Sequence, residues 1–76
     1  MTVRLVDCRK GDRVRIVRLD AGHGASLQLI HLGLDVGHTV EVLQRSPLHG
    51  PVLVSHDGTE VAIGHGLAEK ILVEKE

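Results

Sequence analysis

The chain has 76 residues, 42% of them apolar, and Phe, Tyr and Trp are absent. A chain of this length builds one hydrophobic core, so residues 1–76 are expected to form a single domain. Nine Lys and Arg against ten Asp and Glu give a formal net charge of −1, which argues against a strongly basic, nucleic-acid-binding surface.

The missing aromatic rings also argue against nucleic acid as a partner. Proteins that hold single strands stack bases on aromatic side chains, at roughly 1–3 kcal/mol per base, and histidine is the only residue type here with an aromatic ring. A local basic cluster near the start is interpreted as the solvated flanks of a strand. Its members are Arg9, Lys10, Arg13, Arg15 and Arg18.

The single cysteine and the N-terminal segment indicate in which cellular compartment the protein is expected. Cys8 is the single cysteine and cannot form an internal disulfide, which fits a reducing cytoplasm. The segment Met1–Asp7 lacks the apolar core of a signal peptide, and no run approaches the roughly 18 apolar residues that span a bilayer. We therefore expect a soluble, cytoplasmic protein whose only link to a membrane is through a partner.

Apolar residues recur with a period of two in several segments, which predicts strands with one buried face. The first strand follows the turn signal Lys10-Gly11-Asp12, and Asp57-Gly58 is typical of the tight turn of a hairpin. The predicted strands are Arg13–Val17, Thr39–Arg45, the two arms of the hairpin Val52–Ile63, and Ile71–Glu74.

Between the first two strands the period changes. Leu27, Ile30 and Leu34 are spaced three and four apart, which predicts a short helix that begins near Gly24 or Ser26. Gly33, followed by Val36-Gly37, can end the helix in the left-handed conformation that glycine tolerates. A buried strand over 27–34 is the alternative that periodicity leaves open.

Five short antiparallel strands with one inserted helix are too few for a two-sheet sandwich and favour a small all-β SH3-like barrel. Its exposed strand edges offer a route to weak self-association into a homo-oligomer.

Two segments resemble the FeoA (ferrous-iron transport protein A) family, and the similarity runs over most of the chain, from Gly11 to Val73. The first is Leu29–Val42, LIHLGLDVGHTVEV, and the second is Arg45–Val52, RSPLHGPV. Val36 stands where the family usually has proline, and His49 where it usually has glycine.

The resemblance implies an SH3-like accessory protein of bacterial ferrous-iron uptake that docks on the FeoB permease through the permease's cytoplasmic part. It implies an adaptor without cofactor and without catalysis of its own. The same barrel resembles the C-terminal domain of iron-dependent repressors, so a metal-linked regulatory domain is the alternative. An RNA-binding barrel of ribosomal type is a third, which the neutral charge disfavours.

The candidate contacts lie in two places. Pro47 and Pro51 bracket a loop and hold its tip away from the sheet, because proline fixes φ and donates no hydrogen bond. The helix offers a second exposed face. We expect the partner to bind to Pro47, Leu48, His49 and Gly50 of the loop and to Leu27 and His31 of the helix.

Catalytic and metal-binding patterns are not found. No pattern of a nucleophile oriented by a base and a third group, no phosphate loop and no dinucleotide fingerprint is found, and Cys8 is interpreted as an inert small apolar residue. The six histidines are at least seven positions apart, unlike the close pairs of preformed metal sites, and no metal site is predicted. His31, His49 and His56 are expected to be solvated.

Overall fold

The computed structural model describes Met1–Glu76 and contains six β-strands, two short α-helices and one 3-10 turn. Each strand turns its apolar side chains to one face, as the alternation of the sequence requires. The elements are β1 (Thr2–Arg4), the 3-10 turn (Leu5–Asp7), β2 (Arg13–Leu19), α1 (His23–His31), β3 (Thr39–Arg45), β4 (Val52–His56), β5 (Thr59–Ile63), α2 (His65–Ala68) and β6 (Ile71–Lys75).

All six strands belong to one antiparallel sheet in the order β1-β6-β2-β3-β4-β5. Two irregularities bend it: the register shifts at Val17 between β2 and β6, and at Leu43 between β3 and β4. Extra residues of this kind increase local twist and curvature. The sheet thus curls around one core but is not closed, because β1 and β5 are its two ends. The predicted SH3-like barrel is confirmed, with six strands instead of five.

The core contains fifteen buried residues, all of them apolar or cysteine, and no polar side chain is buried with them. Most come from the inward positions of the strands, while Leu29 and Leu34 come from α1 and the turn after it. The core residues are Leu5, Val6, Cys8, Val14, Ile16, Leu29, Leu34, Val40, Val42, Val52, Val54, Ile63, Ala68, Ile71 and Val73.

The predicted helix is confirmed and the alternative of a buried strand over 27–34 is wrong. The helix starts at His23, slightly earlier than predicted, with Gly22 at its N-cap. The helix ends at the position that Gly33 indicated in the sequence. Gly33 has φ +85° and directly follows the C-cap residue Leu32.

Two short elements were missed. β1 has three residues and pairs with β6 in the register Val3↔Val73. Its extended conformation is therefore stabilised by a strand at the other end of the chain. The helix α2 has four residues, too few for any periodicity to be visible. No helix of the structure is long and apolar enough to cross a membrane.

Candidate docking surface

The loop between β3 and β4 is a tight turn with an unusual backbone. Ser46 N–H donates to the Pro51 carbonyl at 3.1 Å, and Gly50 N–H donates to the Pro47 carbonyl at 3.2 Å. The two central residues, Leu48 and His49, have φ values of 57° and 62°. Positive φ at both central positions is the pattern of a type I′ turn, which normally takes Asn or Gly there.

This conformation is strained for a leucine. The left-handed region costs an ordinary L-residue on the order of 1–2 kcal/mol, and β-carbon contacts are the reason. The Leu48 side chain is 97% exposed, so burial in this domain does not offset that cost. A strained turn that holds a large apolar side chain in water is a feature that fits a docking site.

Gly50 is required at the base of the turn for a steric reason. A β-carbon at this position would lie 2.6 Å from the Ser46 β-carbon and 3.2 Å from the Pro47 carbonyl oxygen. The close approach of these residues is what closes the loop. Pro47 and Pro51 are both exposed at its two ends.

His49 is exposed, as predicted for a loop tip, but its ring is in contact with another side chain. Its ring stacks on that of His65, with centroids 4.6 Å apart and planes 17° from parallel. His65 Nε2 in turn lies 3.7 Å from Glu69 Oε1. The loop therefore rests against α2, a contact that no signal in the sequence predicted.

Beneath the loop lies a polar cavity of about 360 Å³. Arg45, at the end of β3, reaches across it and donates from Nη1 to the Val6 carbonyl at 2.8 Å. Arg4 lies 3.2 Å from Asp7 and 3.8 Å from Glu69. Arg45 thus fastens the base of the loop to the 3-10 turn, a role that sequence reasoning did not assign to it.

The exposed face of α1 is the second candidate contact region. Leu27 is 43% exposed and Ile30 is 51% exposed, and the spacing places both, with His31, on one side of the helix. Ile30 was not among the predicted contacts, although its helical spacing from Leu27 could have indicated it. The helix attaches to the core chiefly through Leu29.

The helix face and the loop do not share a cavity. His31 and Leu32 line a groove of about 560 Å³ together with Gly64, Gly66 and Leu67. The loop borders the other cavity, which is also lined by His65 of α2 and by Glu69, the residue that follows α2. The predicted contacts therefore form two separate patches, and α2 contributes residues to both cavities.

The prediction that His56 is solvated is wrong. Its side chain is only 18% exposed, and its ring stacks on His38 with centroids 4.5 Å apart. His56 Nδ1 lies 3.0 Å from the Thr39 carbonyl and therefore carries the proton. Its neighbour His38 uses Nδ1 to accept from the Asp35 N–H at 3.1 Å. Both rings are structural parts of the turn regions beside β3 and β4.

Cys8 belongs to the core. It is 1% exposed, and burial, assisted by the nearby Asp12 carboxylate, raises the pKa of its thiol. A protonated, buried thiol is a poor nucleophile and a poor metal ligand. No three His, Cys, Asp or Glu side chains cluster closely enough to hold a metal ion.

Two of the three basic residues of β2, Arg13 and Arg15, stand opposite acidic residues of neighbouring strands. Arg15 Nη2 lies 3.3 Å from Glu74 Oε1 on the adjacent strand β6, and Arg13 stands opposite Glu41 of β3. Mixed charges across neighbouring strands neutralise each other locally, as the interpretation of these arginines as solvated strand flanks expects.

The curved six-stranded sheet, the inserted helix and the projecting loop define a small SH3-like barrel. The model of the FeoA domain family matches residues 3–75. The chain belongs to the FeoA family.

Relatives and solved structures agree with this assignment. Fe(2+) transport protein A of Methanocaldococcus jannaschii is 39% identical over 70 residues, which are 92% of this chain and 83% of that protein. The crystal structure of an iron uptake regulatory protein (FeoA) superposes with a TM-score of 0.88 at 37% identity and covers 100% of this chain and 99% of the other.

A second group of similar structures contains metal-dependent repressors. A manganese-dependent transcriptional repressor matches 99% of this chain with a TM-score of 0.89 at 26% identity. The matched part is only 42% of the repressor. The likeness shows that this barrel also occurs as one portion of a longer regulatory protein.

Proposed function

We propose that this protein is a non-enzymatic cytoplasmic adaptor of ferrous-iron uptake, which docks on the cytoplasmic part of the FeoB permease and modulates it. The partner packs on Leu48 at the tip of the β3–β4 loop and on the α1 face formed by Leu27, Ile30 and His31. Family membership supports a role in iron transport, since the two FeoA relatives named above are described as an Fe(2+) transport protein and an iron uptake regulatory protein.

The observation that carries the docking site is the strained, exposed Leu48. Its left-handed backbone and 97% exposure are both unfavourable in the isolated domain. Burial of a leucine against a partner contributes about 1.5–3 kcal/mol, which is enough to offset such strain on binding. Arg45 and the stacked histidines hold the loop in place, so little ordering entropy is lost when the partner binds.

The test is an amide NMR titration of the full chain with the soluble G-domain of the permease from the same genome, with and without guanine nucleotide. We expect shifts at Leu27–His31 and Pro47–Gly50. Leu48→Glu should abolish binding and leave the spectrum of the rest of the domain unchanged, because the side chain contacts no core residue.

Val36→Glu is the matched control. Val36 is 51% exposed, like Leu48 a solvent-facing aliphatic residue, and precedes β3 at the end opposite the loop. The Val36→Glu variant should bind the G-domain as the unchanged protein does. Equal loss of binding in both variants, or unfolding by Leu48→Glu, contradicts the assigned surface.

A metal-linked regulatory role is the second candidate, favoured by the likeness to the manganese-dependent repressor. It predicts that Mn(II) or Fe(II) shifts specific amides at micromolar concentration in the absence of any permease. A spectrum unchanged by both ions removes this role and leaves the adaptor.

A further inference from the structure

The strand β5 is an end of the open sheet, and half of its backbone groups have no partner. It forms a hairpin with β4 through the two-residue turn Asp57-Gly58, whose φ values of 50° and 81° are those of a type I′ turn. In such a hairpin the flanking pair His56↔Thr59 is hydrogen-bonded, and bonding alternates along the ladder. Glu60 and Ala62 therefore point their N–H and C=O groups away from β4.

These outward groups are not used elsewhere in the chain. No turn, loop or side-chain hydrogen bond involves the backbone of Glu60 or Ala62, and both residues are exposed. An unpaired edge of this kind is a template for a further strand.

The groove beside this edge lacks a negative charge. Ala62 lines it together with His31 and Lys70, and Lys70 has no carboxylate within ion-pair distance, unlike Lys75 and Arg15. The small side chain of Ala62 leaves room for a longer side chain from a paired strand. An acidic residue opposite Ala62 would enter the groove beside Lys70.

The sequence of β5 itself has an acidic residue at the matching place. In an antiparallel pair centred on Val61, Glu60 of one copy stands opposite Ala62 of the other, and the relation is reciprocal. A shift that places Glu60 opposite Glu60 is disfavoured by like charges. A shift that places Glu60 opposite Gly64 is disfavoured because the Gly64 carbonyl already accepts from Ala68 N–H at 2.9 Å.

We propose that two copies of this protein associate through antiparallel pairing of their β5 edges, with the Glu60 carboxylate of each copy in the groove beside Lys70 of the other. The pairing joins the two sheets across a twofold axis at Val61. Glu60 and Ala62 exchange both N–H···O bonds in each reciprocal pair. The interface is small, so the association is weak and concentration-dependent.

The first experiment is sedimentation and amide hydrogen exchange of the full chain from low micromolar to roughly 1 mM, because interfaces smaller than about 1,200 Å² are typical of weak association. We expect the apparent mass to approach that of a dimer. Exchange at the Glu60 and Ala62 amides should slow at least tenfold over the same range. A monomer at the highest concentration overturns the proposal, as does a dimer with unchanged exchange at these two amides.

Charge reversal provides the second experiment. Glu60→Lys and Lys70→Glu should each abolish the dimer, and the double variant should restore it because the ion pair is reversed. Lys10→Glu, an exposed site before β2 without an ion pair, is the control and should dimerise normally. If both single variants are folded and the double variant does not recover dimerisation, the role of the Glu60–Lys70 ion pair is overturned.

Backbone pairing is tested separately from charge. Ala62→Pro removes the outward N–H without breaking a bond to β4, and Ala62→Ser keeps the N–H as its control. Only the proline variant should be monomeric. If instead the permease G-domain protects Glu60 and Ala62 in a monomeric sample, the edge belongs to that partner and the self-pairing proposal is wrong, whereas the adaptor function stands.

Discussion

At the scale of single residues, Leu48 is where the local conformation and the local sequence disagree. A type I′ turn is satisfied by Asn or Gly, and the chain has Leu and His at its two central positions. The sequence predicted a shaped loop from its two prolines, but not its left-handed backbone, since leucine rarely adopts positive φ. That conformation is imposed by the closing hydrogen bonds and by the stack of His49 on His65.

Leu48→Asn should therefore stabilise the free domain while it weakens docking. Asparagine tolerates the left-handed region, so we expect the free energy of unfolding to rise by roughly 0.5–1 kcal/mol, measured by urea denaturation. Leu27→Asn, the same change on the exposed helix face, should lower the free energy of unfolding by roughly 0.5 kcal/mol because asparagine is a poorer helix former. A loss of stability in Leu48→Asn contradicts the assignment of strain.

Cys8 makes a prediction about alkaline pH. Burial raises the thiol pKa in the folded state above its ordinary value, so the unfolded chain ionises first as pH rises. The stabilising contribution is complete below the ordinary thiol pKa of about 8.5 and is lost between that value and the folded pKa. The free energy of unfolding should fall above about pH 8.5, by at most about 1.4 kcal/mol per pH unit.

Urea denaturation between pH 7 and pH 10 measures this slope, and Cys8→Ala is the control. The alanine variant is less stable at neutral pH because it leaves a small cavity, but its stability should not have the cysteine-dependent slope. Parallel curves for the two proteins contradict the assignment of a raised pKa.

At the scale of elements, the turns are as important as the strands. β3 was predicted from alternation with its observed bounds, and β4 as the first arm of the hairpin Val52–Ile63. The geometry that joins them, however, depends on one close contact. A β-carbon at Gly50 would lie 2.6 Å from that of Ser46. The requirement for glycine at this place is steric and comes from a neighbour four positions away.

Gly50→Ala should lower the free energy of unfolding by about 1–3 kcal/mol, as overpacking does, and this can be measured by thermal unfolding. The double variant Ser46→Gly, Gly50→Ala should recover part of the loss because it removes the clashing β-carbon. Gly66→Ala is the control: a β-carbon there meets nothing within 4 Å, and alanine is favoured in a helix. Equal losses at both positions contradict the steric explanation.

The short elements β1 and α2 show the limit of periodicity. Val3 pairs with Val73, seventy positions along the chain, and three residues in isolation have no tendency to form a strand. The hairpin arm that ends at Ile63 and the last strand, Ile71–Glu74, were predicted from alternation, and Ile63, Ile71 and Val73 are buried. The turn of helix between them, which buries Ala68, was not predicted.

At the scale of the whole molecule, stability is unevenly distributed. β2, β3 and β6 lie in the middle of the sheet and contribute much of the core. The helix α1 has one buried residue, Leu29, and four of the exposed aliphatic residues lie on it or in the turn after it: Leu27, Ile30, Leu32 and Val36. A loosely attached helix of nine residues is expected to open without global unfolding.

Native-state hydrogen exchange in low denaturant tests this. We expect the amides of α1 to exchange through an opening of lower free energy than those of β2 and β6, which should exchange only through global unfolding. Addition of the permease G-domain should slow exchange in α1 if that face is a contact. Exchange of α1 and β2 at one common free energy contradicts the uneven distribution.

The sequence by itself determined the class of fold, because aliphatic alternation and turn residues at Gly33, Asp57 and Gly58 are local signals that one segment carries alone. It also determined the family, from two segments of fourteen and eight residues. Only the tertiary structure decided the stack of His49 on His65, the reach of Arg45 to the 3-10 turn and which strands form the two edges of the sheet. The two contacts join residues far apart in the chain, and the order of the strands depends on pairings of the same kind. Contacts at such separation leave no pattern in a single sequence.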